Sequence, residues 1–251
     1  MNGQPIQHPG PGYGDPYYFT SLGDWDGDGR GDLLWGNMQG NVFLHRGSGV
    51  PDPWSFEPGI KLKLITGEDL QVGPPLTASP QTATDFRTLQ GSRIKFVADD
   101  FDGDGIDDLA ITETYRNLWI FLNTRQGGTD TLKPGVHVGK LTHVNDAGTS
   151  LSVVDWNGDG KPDVLTGGAA QEPGMLFVNQ SHRGSPRFMP PQQACQLPYL
   201  FWGPHFRAID WNGDGDQDLL IRSEFYALWA ERSFIDHGYR SGRIMTSWET
   251  R

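Results

Sequence analysis

The sequence has few of the features that cross-link a chain by disulfides or anchor it in a membrane. It has a single cysteine, Cys195, so no disulfide can form within the chain. The cysteine content therefore does not indicate whether the protein belongs in an oxidising or a reducing compartment. No apolar stretch approaches the length of a membrane span, and residues 1–16 have neither the basic nor the apolar region of a signal peptide. We therefore expect no membrane insertion and no signal peptide in this chain.

Positive charge is scarce as well. The chain has 20 Lys and Arg residues against 31 Asp and Glu, a formal net charge of -11, and its basic residues form no cluster. Nucleic acids and anionic membranes select basic surfaces, so this balance argues against both as partners. Long runs of Ala, Leu, Glu and Lys are missing too, while 34 Gly, 18 Pro and 12% aromatic residues favour an all-β fold.

One acidic motif is written four times. The copies are DWDGDGRGDLL from Asp24, DFDGDGIDDLA from Asp100, DWNGDGKPDVL from Asp155 and DWNGDGDQDLL from Asp210. Asp or Asn stands at positions 1, 3, 5 and 9, and glycines at positions 4 and 6 allow a tight turn that points the oxygens inward. With no His or Cys among these side chains, the motif predicts a wrapped site for a hard cation, calcium rather than zinc or copper.

The motif is not an EF-hand, which needs a Glu at position 12 and flanking helices. Position 12 holds Trp35, Ile111, Thr166 and Ile221. Short strand-like runs enter and leave each loop, so each loop closes a β-hairpin. A third run and a weaker fourth run follow each hairpin. Four short strands per unit is the number in a propeller blade.

On these motifs the chain resembles FG-GAP or VCBS-type repeats, the calcium-loop blades of integrin-like β-propellers, over roughly residues 17–247. The resemblance implies an all-β propeller of four-stranded antiparallel blades with four blades encoded, either a small closed ring or part of a larger propeller. It also implies an extracellular or cell-surface location. The expected divisions are an N-terminal tail (1–16), a propeller domain (17–251) with blades at about 17–64, 92–142, 149–195 and 204–248, and an insertion (65–91).

The resemblance further implies about four structural calcium ions, each bound by the side chains at positions 1, 3, 5 and 9 and by the backbone carbonyl at position 7. Carried onto this sequence, the four sites are Asp24, Asp26, Asp28, Arg30 and Asp32; Asp100, Asp102, Asp104, Ile106 and Asp108; Asp155, Asn157, Asp159, Lys161 and Asp163; and Asp210, Asn212, Asp214, Asp216 and Asp218. Asn at position 3 removes one charge from each of the last two sites.

Ligand recognition is expected where the repeats differ, in the loops opposite the metal loops and in the links between blades. The candidates are Tyr115, Arg116, Glu172, Trp202, His205, Arg222, Glu224 and Tyr226. Packing at the core or rim is the alternative for each of them. The aromatic residue at position 2, by contrast, repeats with the blade and is expected to be a wedge between adjacent blades rather than a platform for sugars.

Motifs of catalysis are absent from the sequence: it has no GxSxG, no HExxH and no phosphate-binding glycine loop. A calcium-stabilised module that binds a glycan or a protein is therefore favoured. A polysaccharide lyase or hydrolase, and a structural spacer of a surface protein, stay open as alternatives. Association into a homodimer, or missing blades that complete the ring, is also left open. The insertion is rich in Pro, Thr and Gln and is either a lid or disordered.

Overall fold

The computed structural model describes residues 19–50, 55–74, 92, 94–125, 131–141, 150–167, 174–195, 205–211, 213, 218–222, 226–230 and 244–246. All secondary structure in these ranges is β-strand, bridge, turn or bend. Accordingly, the described residues contain no helix that is long and apolar enough to cross a membrane.

Of the eighteen strands in the described ranges, sixteen form four sheets of four strands each. The first sheet contains β1 (Phe19–Gly23), β2 (Asp32–Gly36), β3 (Val42–His45) and β4 (Ile60–Lys61). The second contains β6 (Lys95–Asp99), β7 (Asp108–Thr112), β8 (Asn117–Phe121) and β10 (Val136–Lys140). The third contains β11 (Ser150–Val154), β12 (Asp163–Gly167), β13 (Gly174–Phe177) and β14 (Gln192–Cys195). The fourth contains β15 (His205–Ile209), β16 (Asp218–Arg222), β17 (Tyr226–Ala230) and β18 (Ile244–Thr246).

Within every sheet the strands lie in chain order and neighbouring strands are hydrogen-bonded. The pairs are antiparallel, as in β1 with β2, β11 with β12 and β15 with β16. The short strand β9 (Thr131–Leu132) lies between β8 and β10 in the chain but does not belong to the second sheet. It pairs in parallel with β5 (Lys63–Leu64). The all-β fold class of four-stranded antiparallel blades is confirmed.

Each acidic motif occupies the turn between the first and second strands of its sheet. The last pair of residues before the turn always consists of the residue preceding position 1 and the aspartate at position 9. These pairs are Gly23 with Asp32, Asp99 with Asp108, Val154 with Asp163, and Ile209 with Asp218. The strand register therefore closes all four turns on the same motif position.

The chain divides into two compact units. The first contains the first sheet and most of the second, and its buried side chains form one apolar cluster that includes Trp25, Leu44, Ile94, Leu109 and Phe121. The second unit contains the third and fourth sheets with the remainder of the second. Its most buried side chains include Val164, Leu165 and Phe177.

Part of the expected insertion belongs to the core of the first unit. Leu70 and Val72 are buried in its apolar cluster, and the Leu70 amide donates to the carbonyl of Leu62 at 2.9 Å. The side chain of Asn41 donates in turn to the carbonyl of Leu70, also at 2.9 Å. Leu70 and Val72 are thus packed in the core, residues 65–69 are exposed, and residues 75–91 lie outside the described part of the chain.

The aromatic residues at position 2 do not share one environment. Trp25 and Phe101 are 1% exposed, whereas Trp211 is 51% exposed. Trp156 is intermediate. The wedge expected at this position is thus buried in the first two loops, while the indole in the fourth is half open to solvent.

We expect Trp25→Ala to lower the free energy of unfolding by about 3–5 kcal/mol, because it leaves a large cavity in the apolar cluster. Trp211→Ala removes the same side chain from the same motif position and should cost less than about 1 kcal/mol, because the indole is half exposed. Urea denaturation of both variants measures the difference. Equal losses would contradict the distinct roles of the two tryptophans.

Candidate metal sites

The first loop gathers three carboxylates around one point. One oxygen from each of Asp24, Asp26 and Asp28 lies within 4.8 Å of the others. Backbone amides turn inward to hold them: Gly29 donates to Asp24 Oδ2 at 3.0 Å and Arg30 to Asp28 Oδ1 at 2.9 Å. Gly27 and Gly29 make this turn with φ of 74° and 84°, the left-handed region that suits glycine.

The second loop repeats the arrangement with a different trio. Oxygens of Asp100, Asp102 and Asp108 lie within 4.8 Å of one another. The amide of Gly105 donates to Asp100 Oδ2 at 2.8 Å, and that of Ile106 to Asp104 Oδ1 at 3.0 Å. Hard oxygen donors wrapped by one short loop fit a divalent cation such as calcium.

The third loop has the same internal hydrogen bonds. Gly160 donates to Asp155 Oδ2 at 2.9 Å, and Lys161 to Asp159 Oδ1 at 3.0 Å. The side-chain amide of Asn157, at position 3, donates to Asp159 Oδ2 at 3.2 Å and so forms a hydrogen bond within the loop. In the fourth loop Gly213 donates to Asp210 Oδ1 at 2.7 Å. Three of its predicted ligands, Asn212, Asp214 and Asp216, lie outside the described residues.

The aspartate at position 9 is buried in all four loops, where Asp32, Asp108, Asp163 and Asp218 are 0–1% exposed. Asp32 shows how its carboxylate is used. Oδ2 accepts the Trp25 amide at 2.9 Å, and Oδ1 accepts the amide of Gly47 at 2.8 Å. Because Gly47 comes just after the third strand, this one side chain ties the metal loop to both the second and the third strands.

Both ties recur in the third sheet, and one of them recurs in each of the second and fourth sheets. Asp163 accepts the amides of Trp156 at 3.0 Å and Asn179 at 2.7 Å. Asp108 accepts the Asn123 amide at 2.8 Å, and Asp218 that of Trp211 at 3.1 Å. Burial raises the pKa of Asp32 and of Asp163, and the backbone amides oppose that rise. The resemblance assigned position 9 to the ion alone, and sequence reasoning missed its second role.

Two arginines neutralise part of the first loop. Arg46 Nε lies 3.0 Å from Asp26 Oδ2, and Arg30 Nη1 lies 3.2 Å from Asp28 Oδ2. Only the backbone carbonyl of Arg30 was expected to contribute, and Arg46 was not expected at all. Arg46 immediately precedes Gly47, so the strand register brings it to the loop, which motif spacing alone does not reveal.

A further pair of acidic groups lies beside the loops of the first unit. Burial raises the pKa of both Asp99 and Asp107, and each carboxylate also feels like charges nearby, Asp100 among them. The guanidinium of Arg125 opposes the rise at Asp107. Negative charge in this region therefore extends beyond the residues of the ligand pattern.

The candidate ligand residues are only partly described. Tyr115 and Arg116 lie in the hairpin between β7 and β8, and Tyr115 is 58% exposed. His205, Arg222 and Tyr226 lie at strand ends, as the first residue of β15, the last of β16 and the first of β17. Glu172, Trp202 and Glu224 lie outside the described residues.

The Tyr115 hairpin has a counterpart in the first sheet. Gly36 and Thr112 pair with the first residues of β1 and β6, so the turns that follow them are equivalent. In the first sheet this turn has Gly40 at φ 87°, and in the second it has Arg116 at φ 68°. An arginine in the left-handed region costs about 1–2 kcal/mol that glycine does not.

A side chain closes both of these turns from the same position. Asn37 Oδ1 accepts the amide of Gln39 at 3.1 Å, and Glu113 Oε2 accepts that of Tyr115 at 2.5 Å. Glu113 is buried, so its carboxylate serves as a cap of the turn. Gln39 and Tyr115 therefore occupy the same place, and only Tyr115 presents an aromatic ring to solvent.

These sheets and loops define a protein built of propeller-type blades, each with an acidic loop that is a candidate metal site. Residues 100–166 match the model of the FG-GAP-like repeat, which covers the second metal loop through to β12. The expected FG-GAP-type repeat is thereby confirmed in this part of the chain. A search of curated proteins found no significant match.

Several solved structures are similar to the chain. A lectin of Agrocybe aegerita, described as recognising non-reducing terminal N-acetylglucosamine, has 14% identity and a TM-score of 0.49, and the match covers 92% of this chain and 66% of the lectin. The Tc holotoxin pore of Photorhabdus luminescens has 17% identity and a TM-score of 0.42, with 92% of this chain and 12% of that one covered. The V. cholerae biofilm matrix protein Bap1 has 17% identity and a TM-score of 0.37, with coverage of 85% and 28%. The chain thus spans no more than about two thirds of these proteins.

We expect Asp32→Asn to destabilise the protein even in EDTA. The substitution replaces one acceptor oxygen by an amide that faces a backbone N–H, which costs about 1–3 kcal/mol at a buried position. Asp28→Asn makes the same chemical change at an exposed position of the same loop and should leave stability in EDTA nearly unchanged. Urea denaturation in EDTA measures both variants. A loss at Asp32 that appears only in calcium would show that its carboxylate is a ligand and not a tie.

Proposed function

We propose that the protein is a calcium-stabilised β-propeller module that binds a glycan or protein ligand through the hairpins opposite its metal loops. The observation that carries the first part is the trio Asp24, Asp26 and Asp28, whose oxygens meet within 4.8 Å in a loop wrapped by its own amides. FG-GAP repeats, one of which lies at residues 100–166, commonly bind calcium.

The chemistry of the loops supports calcium in particular. All candidate donors are carboxylate, amide or carbonyl oxygens, and calcium takes six to eight of these in a flexible geometry. A bound cation would offset the repulsion among the gathered carboxylates. We propose about four such ions, held more tightly in the first two loops, where position 3 is Asp26 or Asp102, than in the last two, where it is Asn157 or Asn212.

Removal of calcium should lower the melting temperature, because ions that bind only the folded state stabilise it by about 2.7 kcal/mol per site at a hundredfold excess over the dissociation constant. Differential scanning calorimetry in EDTA and in rising calcium measures the shift. Magnesium at equal concentration is the control and should give a smaller shift, because it holds its water and demands octahedral geometry. A melting curve that EDTA leaves unchanged would contradict structural calcium.

The ligand surface is proposed to centre on the hairpin tip of Tyr115 and Arg116. The ring of Tyr115 is exposed. Arg116 has the left-handed backbone conformation that Gly40 has in the equivalent turn of the first sheet. Strain of this kind is kept where a side chain has a use. An exposed aromatic ring beside a guanidinium can stack on a sugar and donate hydrogen bonds to it.

Arg116→Gly should weaken ligand binding while the free energy of unfolding stays equal or rises by up to about 1 kcal/mol, because glycine relieves the left-handed strain. Tyr115→Ala should also weaken binding, whereas Gln39→Ala, at the same turn position in the first sheet, should not. A glycan array identifies the ligand, and calorimetric titration measures the three variants. Unchanged binding in both Tyr115→Ala and Arg116→Gly would move the ligand surface elsewhere.

The setting of the module stays a proposal as well. An extracellular or surface location agrees with the usual context of FG-GAP repeats. A homodimer, or further blades, would cover apolar side chains that are now open to solvent, such as Leu22 in β1 and Trp211 in the fourth loop. We also propose that the chain divides into an N-terminal tail (1–16), a propeller domain (17–251) and an insertion (65–91).

A further inference from the structure

The residue at position 2 of the metal loop is held from within its own sheet. Its amide donates to the carboxylate at position 9, at 2.9 Å for Trp25 and 3.0 Å for Trp156. This residue links positions 1 and 3, both of which are candidate ligands. Its orientation therefore sets how the two ligand side chains face each other.

The carbonyl of the same residue is held from the sheet that comes next in the chain. Arg125, which follows β8, donates from Nη2 to the carbonyl of Trp25 at 3.2 Å. Asn179, which follows β13, donates from Nδ2 to the carbonyl of Phe101 at 2.9 Å. Two different side chains thus make the same connection, once in each compact unit.

Asn179 has equivalents in the other sheets. Gly47, Asn123 and Asn179 each donate their backbone amide to the aspartate at position 9 of their own sheet, at 2.8, 2.8 and 2.7 Å. In the second sheet Asn123 Nδ2 is buried and, in the described part of the chain, has no acceptor. Asn123 Oδ1 instead accepts the amide of Arg125, whose guanidinium makes the connection.

The second loop has an additional tie to the third sheet. Asp102 Oδ2, a candidate ligand oxygen, accepts the amide of Gly184 at 2.6 Å. Phe101 packs against Phe188, with ring centroids 6.1 Å apart. The carbonyl, the ring and the neighbouring carboxylate are thus all in contact with one segment, residues 179–188.

We propose that Asn179 and Arg125 are positioning residues that couple ion binding in a metal loop to packing of the following sheet. This inference rests on the proposed calcium function. A carbonyl fixed from outside keeps the ligands at positions 1 and 3 oriented before the ion arrives, which lowers the cost of binding. By reciprocity, an ion in the second loop tightens residues 179–188 of the third sheet.

Asn179→Ala tests the coupling, with Asn123→Ala as its matched control. Both substitutions keep the backbone amide on the position 9 aspartate and remove a side-chain oxygen that accepts the amide two residues later, that of Ser181 or Arg125. Asn179→Ala also removes a side-chain amide that donates to the carbonyls of Phe101 and Pro162, whereas the amide that Asn123→Ala removes has no acceptor among the described residues. Asn179 is chosen over Arg125 because it changes no charge near the ligands.

The readouts are calcium titration by calorimetry and hydrogen exchange with and without calcium. In the unmodified protein, calcium should slow exchange in the second loop and also in residues 181–187. In Asn179→Ala, calcium affinity at one site should fall about fivefold, the equivalent of the ~1 kcal/mol of one hydrogen bond, and calcium should no longer slow exchange in residues 181–187. Asn123→Ala should keep the affinity of that site and the protection of this segment.

The outcomes separate this inference from the proposed function. If the unmodified protein binds no calcium, the calcium function fails and the coupling fails with it. If it binds calcium but exchange in residues 181–187 does not respond, or if Asn179→Ala matches Asn123→Ala, only the coupling is overturned. A general loss of folding in Asn179→Ala would show as faster exchange in the fourth sheet and is checked by Asn179→Ser, which restores a small donor and should recover part of the affinity.

Discussion

The rest of each blade depends on the hydrogen bonds that the buried aspartate at position 9 accepts from backbone amides. This aspartate begins the second strand. Its carboxylate accepts an amide from the acidic loop in the first, third and fourth sheets, and an amide from just after the third strand in the first three sheets. A carboxylate in this position is costly to bury, which is why its pKa is raised in the first and third loops. The amides offset that cost and in return fix where the loop begins and ends relative to the strands.

Charge is the second constraint. The acidic loops bring carboxylates together at distances where they repel. Backbone amides that donate to the carboxylates offset part of this repulsion, and in the first loop Arg46 and Arg30 offset more of it. The net charge of -11 shows that such pairs do not balance the chain as a whole. A bound cation, as proposed above, would offset the repulsion that these pairs leave.

Connections beyond a single sheet act on the same loops. In the first unit Arg125 reaches the carbonyl of Trp25, and in the second Asn179 reaches that of Phe101. The loop that collects candidate ligands is thus also the place where successive sheets are joined. The candidate ligand positions and the contacts between successive sheets therefore meet at one peptide group.

The repeated motif by itself determined the all-β class, the four hairpins and the carboxylates that gather in the first two loops, because glycine positions and alternating apolar runs are local properties of the chain. Only the tertiary structure decided that Trp25 is buried while Trp211 is half exposed, that Arg46 neutralises Asp26, and that Leu70 and Val72 join the core. Each of these depends on which distant strand lies beside the residue. The motif sequence does not specify that neighbouring strand, because burial and ion pairing arise from register and packing between segments far apart in the chain.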